Sequence, residues 1–224
     1  PGMPNVSKMI NVINSADIKR ARSRQVGSVA GIAMPGRGPI LGVRGHVKVL
    51  DDVPDNCTLV VENGSCSVEG FVFGRVAVHH DCDVRENICG AAVSRQGDIR
   101  ARNIVDHAFV VAKTGTVQVR GAFGPELVYG GTSIRIGGSG ARGRYIAPDI
   151  RVKDEVRSAH VEVTRCLVAE RILAEDDGPC VDIVLRKHLN PQDYGEICTD
   201  RVRHVLRHRS EERRVGKECI VKCR

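Results

Sequence analysis

Between residues 46 and 152 the chain repeats one short pattern seven times: a turn residue, then a three-residue piece with apolar first and last positions. It reads His46-Val47-Lys48-Val49, Ser65-Cys66-Ser67-Val68, Arg75-Val76-Ala77-Val78 and Asp98-Ile99-Arg100-Ala101, then Thr116-Val117-Gln118-Val119, Ser133-Ile134-Arg135-Ile136 and Asp149-Ile150-Arg151-Val152. The last four triplets begin at 99, 117, 134 and 150. A strand alternates its side chains, so each triplet sends two residues to one face and one to the other. Strands this short are unstable alone. A near-constant repeat lets each coil stack on the last and bury one continuous core.

The prediction is an all-β fold: a parallel β-helix or solenoid of short strands, of the right-handed type, with short flanking segments. Composition agrees. The chain has 33 Val and 16 Ile against nine Leu, and β-branched side chains suit pleated strands. Gly beside the strands is read as supplying positive φ at tight corners. An antiparallel sandwich also shows turn signals every 8–12 residues or so. The brevity of the triplets, and a single Asn-Gly pair at Asn63-Gly64, favour the solenoid. Secondary apolar pieces, Phe109-Val110-Val111-Ala112 and Glu126-Leu127-Val128-Tyr129, lie between the triplets.

The ends differ from the middle. Residues 1–39 form an N-terminal segment and linker, where Ser15-Ala16-Asp17 is placed to cap a short helix over 18–25. The β-helix domain covers 40–173. Residues 174–208 are read as a cap: Val181 to Leu185 alternates like one more strand, and Ile197, Val202, Val205 and Leu206 fall on helical spacing. Residues 209–219 resemble the translation of a sequencing adapter, so 209–224 are set aside as an artefact tail. The opening Pro1-Gly2-Met3 reads as a frame opened within a gene, making the sequence a fragment.

Of the formal charge of +7, the tail supplies six basic and three acidic residues, which leaves 28 against 24. Seven Cys remain outside the tail, with no C-x-x-C pair of the kind that holds zinc. An odd number of thiols without a visible signal peptide fits a reducing, cytoplasmic setting.

The segments Gly97 to Ile104, Ala108 to Ala112, Gly115 to Val119 and Ser67 to Gly74 resemble the central β-helix of the flagellar assembly protein A-like family. That group includes the bactofilins and the β-helical half of the septum-site inhibitor MinC. The resemblance covers roughly residues 45–165. It implies a cytoplasmic, non-enzymatic scaffold that is polymer-forming or docks partners in bacterial envelope, cytoskeletal or flagellar assembly, and it brings no catalytic residues.

No residue is assigned a catalytic, cofactor-binding or metal role. His79-His80-Asp81-Cys82-Asp83 concentrates metal-ligand types, but neighbours on a strand point to opposite faces, so the run is read as a polar corner. Asp51-Asp52, Asp81, Asp83 and Asp176-Asp177 sit in turn-like stretches, where Asp is favoured for local hydrogen bonds. Tyr129-Gly130-Gly131 and Gly137-Gly138-Ser139-Gly140 lack the Gly-Lys-Ser/Thr ending of a phosphate loop. Basic residues cluster at Lys19, Arg20, Arg22 and Arg24, and again at Arg142, Arg144 and Arg151. With seven Phe and Tyr and no Trp to stack on bases, no specific nucleic-acid reader is expected. Contact with a membrane surface is the remaining reading of the charge. The expected partners are further copies of the chain or other proteins, meeting at end rungs represented by Val47, Val49, Val161 and Val163. The alternatives are a carbohydrate-active β-helix enzyme, with carboxylates in a lateral groove, and a MinC-like division-regulating binding module.

Overall fold

The computed structural model describes residues 10–21, 38–174 and 181–189. They form a β-solenoid of about 8 turns, in which every strand pairing is parallel. Strand-to-strand steps of 16 to 19 residues set the coil between residues 40 and 173, while the outermost steps are longer, 36 residues from Ile10 to His46 and 22 from His160 to Asp182.

Three ladders run along the axis. The first is β2 (Ile40–Arg44), β4 (Thr58–Glu62), β6 (Arg75–Val78), β8 (Ala91–Ser94), β10 (Phe109–Ala112), β12 (Leu127–Gly130), the opening halves of β15 (Arg144–Val152) and β17 (His160–Val168), and β19 (Asp182–Leu185). The second is β1 (Ile10–Ile13), β3 (His46–Val49), β5 (Cys66–Val68), β7 (Cys82–Ile88), β9 (Ile99–Ile104), β11 (Thr116–Phe123), β13 (Ser133–Ile136) and the closing halves of β15 and β17. The third joins Val53 and Val72 to the ends of β7, β9 and β11, then β14 (Gly140–Ala141), β16 (Glu155–Arg157) and β18 (Arg171–Leu173).

The predicted triplets lie on the first two ladders, six of the seven on the second. The inward positions of the second ladder stack in register as Val47, Cys66, Cys82, Ile99, Val117, Ile134 and Ile150, all buried, Cys82 belonging to a rung that the seven triplets skip. The secondary apolar pieces are β10 and β12 of the first ladder. They read as unbroken apolar runs because both faces of that ladder are buried. Inward lie Val76, Ala92, Val110 and Val128; outward, Ala91, Val93, Phe109, Val111, Leu127, Tyr129 and Ile146 form a second apolar cluster, against which Leu189 packs.

The third ladder contributes mostly one inward residue per coil: Val53, Val72, Ile88, Ile104, Ala122, Gly140 and Val156. Its small members make room. Tyr145 points into the core beside Gly140 and donates its hydroxyl to the carbonyls of Ala122 (3.2 Å) and Ala141 (3.1 Å). That satisfies the only polar atom of an otherwise apolar ring.

The corners depart from expectation. Most corner glycines do not have positive φ; among the described glycines only Gly38, Gly45 and Gly124 do. Left-handed backbone is carried instead by Asn56, Asn63, His107, Arg142 and Ser158. What Gly90 and Gly115 supply is the missing Cβ. At Gly90 it would lie 2.0 Å from the Gly74 carbonyl oxygen, and at Gly115 2.1 Å from that of Gly97, in each case on the preceding coil.

The flanks also differ from the predicted boundaries. β1 lies in the stretch read as a flanking segment, yet it extends the second ladder beyond β3. The helix is α1 (Ser15–Arg20), capped by Asn14 in a reciprocal box with Asp17 rather than by Ser15 to Asp17. It ends as Ala21 turns extended, and its buried Ile18 joins the core at that end of the rod. The predicted strand at 181–185 is β19. The helical spacing at 196–208 and the 209–224 tail lie outside the described residues.

Cys66 and Cys82 are neighbours in the same interior stack. Burial pushes the Cys66 thiol up to about 12 and raises the Cys82 thiol well above its ordinary value. Neither forms the reactive thiolate at neutral pH. Brief alkylation of the native protein, read by peptide mass spectrometry, should leave both unmodified until denaturant is added. Modification at the rate of an unfolded control would contradict the buried stack.

Candidate functional site

Val47, Val49, Val161 and Val163, the residues expected at end rungs, are instead interior. Val47 and Val49 are covered by Asn11 and Ile13 of β1; Val161 and Val163 are covered by Ile183 and Leu185 of β19. Among the described residues one further strand lies beyond them at each end, β1 and β19, so these valines are not on the outermost rung. Among the described residues the large apolar inward-row side chains that are exposed are Ile172 (50%), Ile183 (45%) and Leu185 (74%), at the β18–β19 end.

The turn carboxylates have structural partners. The Asp52 carboxylate accepts the Phe71 N–H, that of Asp81 the Asp98 N–H and that of Asp98 the Thr116 N–H, each at 2.8 Å and each tying one coil to the next. Asp51 accepts the backbone N–H and hydroxyl of Ser15. The rings of His79 and His80 meet edge to face 4.7 Å apart. Among the described residues no group of three His, Cys, Asp or Glu is placed to hold a metal ion. Asp176 and Asp177 fall outside them.

Two sites concentrate charge. The first is a groove of about 860 Å³ on the outer face of the second ladder, along the rod axis. The outward position of each triplet lines it, in register: Arg100, Gln118, Arg135, Arg151 and Val168. The residues just past the triplets, Arg120, Lys153 and Glu170, form its other wall. Toward the β1 end the same surface is neutralised. Glu69 bridges Lys48 (2.9 Å) and Arg85 (2.7 Å), Arg100 bonds Asp83 (3.3 Å) and Asp98 (3.0 Å), and Arg102 bonds Glu86 (3.1 Å). Further along, Arg120, Arg135, Arg151 and Lys153 are exposed and make no ion pair among the described residues.

The second site is Glu162, an outward residue of β17 that is nevertheless fully buried. It accepts from Arg144 and Arg186, and His160 Nε2 lies 3.1 Å away while His160 Nδ1 lies 2.7 Å from Asp182. Burial by itself raises the Glu162 pKa. The bonds from Arg144, Arg186 and His160 outweigh it and bring the carboxyl from 4.5 down to about 2. Held ionised and saturated with donors, it is equipped to tie β15, β17 and the β19 turn together, not to exchange protons near neutrality.

A scan against protein-family models finds none that matches, and no curated protein or solved structure is significantly similar to the chain. No helix among the described residues is long and apolar enough to cross a membrane.

The sequence reading missed both charged sites. Arg135 and Arg151 had a visible signal, since they hold the middle of successive triplets. Glu162 had none, because Arg144 and Arg186 meet it only through the coil stacking.

Proposed function

We propose that the chain is a non-enzymatic β-helical scaffold that self-associates or docks partners, in keeping with the resemblance to the flagellar assembly protein A-like and bactofilin group. The observation that carries this reading is the asymmetry of the rod's ends. At the β1 end, Ile18 of α1 is inserted into the core. Edge strands lie at both ends, β1 and β2 there and β18 and β19 at the other, but among the described residues it is at the β18–β19 end that Ile172, Ile183 and Leu185 leave apolar inward-row side chains exposed. An apolar rung with free strand edges is a template for another chain. A two-fold contact between two such ends gives a closed dimer.

The pairing of the groove-side carboxylates with cations supports the same reading against a carbohydrate-active enzyme, although Glu69, Asp83 and Glu86 line one concavity. In the groove Glu170 is the one carboxylate, and upstream Glu69, Asp83 and Glu86 are each held by arginine or lysine. A MinC-like binding module shares the fold and differs only in the partner.

Sedimentation velocity over a wide concentration range tests the reading. Association that rises with concentration is expected, and Leu185→Lys with Ile183→Lys should weaken it by about tenfold or more through burial of charge at an apolar contact. A monomer at every concentration would overturn self-association.

A further inference from the structure

We propose that the groove on the second ladder binds a linear acidic polysaccharide along the rod axis. The starting observation is a cost in the structure. Arg135 and Arg151 are direct register partners on adjacent strands, with Arg120 and Lys153 on the facing wall, and none has a carboxylate partner among the described residues. Like charges directly opposite on neighbouring strands destabilise a sheet. The same rows toward β1 remove that cost with Glu69, Asp83, Asp98 and Glu86. The fold therefore has the means to neutralise this surface, yet in this concavity Arg120, Arg135, Arg151 and Lys153 converge with a single carboxylate, Glu170.

The form of the ligand follows from the spacing. The cations occupy three successive rungs, Arg120 on β11, Arg135 on β13, and Arg151 with Lys153 at the end of β15, and rungs lie about 4.8 Å apart, about the length of one sugar unit. A chain with one carboxylate per unit places an anion at each rung, and arginine takes carboxylate through two parallel N–H bonds. The concave shape suits a filament better than a flat bilayer. No aromatic side chain lines the groove, so it offers no platform for the bases of single-stranded nucleic acid. Nothing in the site cleaves the bound chain: binding is its whole chemistry, and it is independent of the association proposed above.

The experiment is calorimetric titration of the full chain with oligogalacturonate at low ionic strength. Neutral dextran, single-stranded DNA of equal charge and anionic vesicles serve as comparisons. Oligogalacturonate is expected to bind and dextran not to, with affinity falling as salt rises. The double variant Arg135→Gln/Arg151→Gln should bind at least about tenfold more weakly. It should also unfold at a higher temperature than the parent in the absence of ligand, because the like-charge contact is gone. That rise shows that the variant is folded and that the repulsion is real. No saccharide binding at low salt, equal binding by the double variant, or tighter binding of DNA or vesicles would each overturn the proposal. Sedimentation of the same variant should match the parent, so failure of this site and failure of the association reading are told apart.

Discussion

Exchanging Glu162 for alanine should lower the stability of the rod by about 3 kcal/mol, because it leaves the Arg144 guanidinium without its buried carboxylate. For a chain of this size that corresponds to a fall of roughly 6–12 °C in the unfolding midpoint. The pH dependence gives a sharper test. The Glu162 pKa is lowered on folding, from 4.5 to about 2. A carboxylate depressed in this way stabilises the fold fully above its unfolded pKa, and the contribution is lost as pH falls through the window toward the folded value. The shift corresponds to about 3 kcal/mol. The stability gap between the parent and Glu162→Gln should therefore be widest near neutrality and shrink steadily from about pH 5 to pH 2. Denaturant midpoints at several pH values measure it. A gap that stays constant with pH would mean that the charge of Glu162 contributes nothing.

Gly90→Val should have a comparable or larger effect by a different route. The new Cβ would sit 2.0 Å from the Gly74 carbonyl oxygen and 2.3 Å from that of Phe73, and both are backbone atoms that cannot rotate away. The coils must separate at that corner, which breaks the spacing on which the Val76–Ala92 and Ala91–Phe109 pairings depend. A loss of about 3 kcal/mol or more is expected, at the upper end of ordinary overpacking. Gly124→Ala is the useful contrast. Gly124 has φ of +69°, so its substitution combines left-handed strain with a 2.0 Å approach to the Asp106 side chain, which can move. Thermal unfolding of both variants separates the two causes: Gly90→Val should be the worse. The opposite order would show that conformation, not proximity, governs the corners.

Much of the fold was legible because the triplets carry their own geometry. Val117-Gln118-Val119 and Ile134-Arg135-Ile136 state which residues face inward and how far apart the coils lie. The first ladder was half legible: Phe109 to Ala112 shows as an apolar run, but its outward burial belongs to the assembled surface around Tyr129, Ile146 and Leu189. The third ladder was invisible, since Ile104 or Ala122 is a single apolar residue per coil with no neighbour to mark it. The corner glycines were seen and misread. A Gly in sequence signals permission, and only the stacked coil shows whether that permission is used for φ or for closeness.

The end rungs illustrate the same division. The end rungs were expected at Val47, Val49, Val161 and Val163, whereas β1 and β19 each add another strand whose residues need not repeat the pattern, because among the described residues they are covered on one side only. Of the candidate sites, the row Arg100, Arg135 and Arg151 was present in the spacing, but its lack of acidic partners was not. The sequence alone determined that this chain coils, with which residues inside and at what pitch, because alternation and repeat length are local properties. Tertiary structure decided which charges meet, which glycines are crowded and where inward-row apolar side chains are left exposed. Each of these depends on residues 16 or more positions apart in the chain being brought side by side by the stacking of one coil on another.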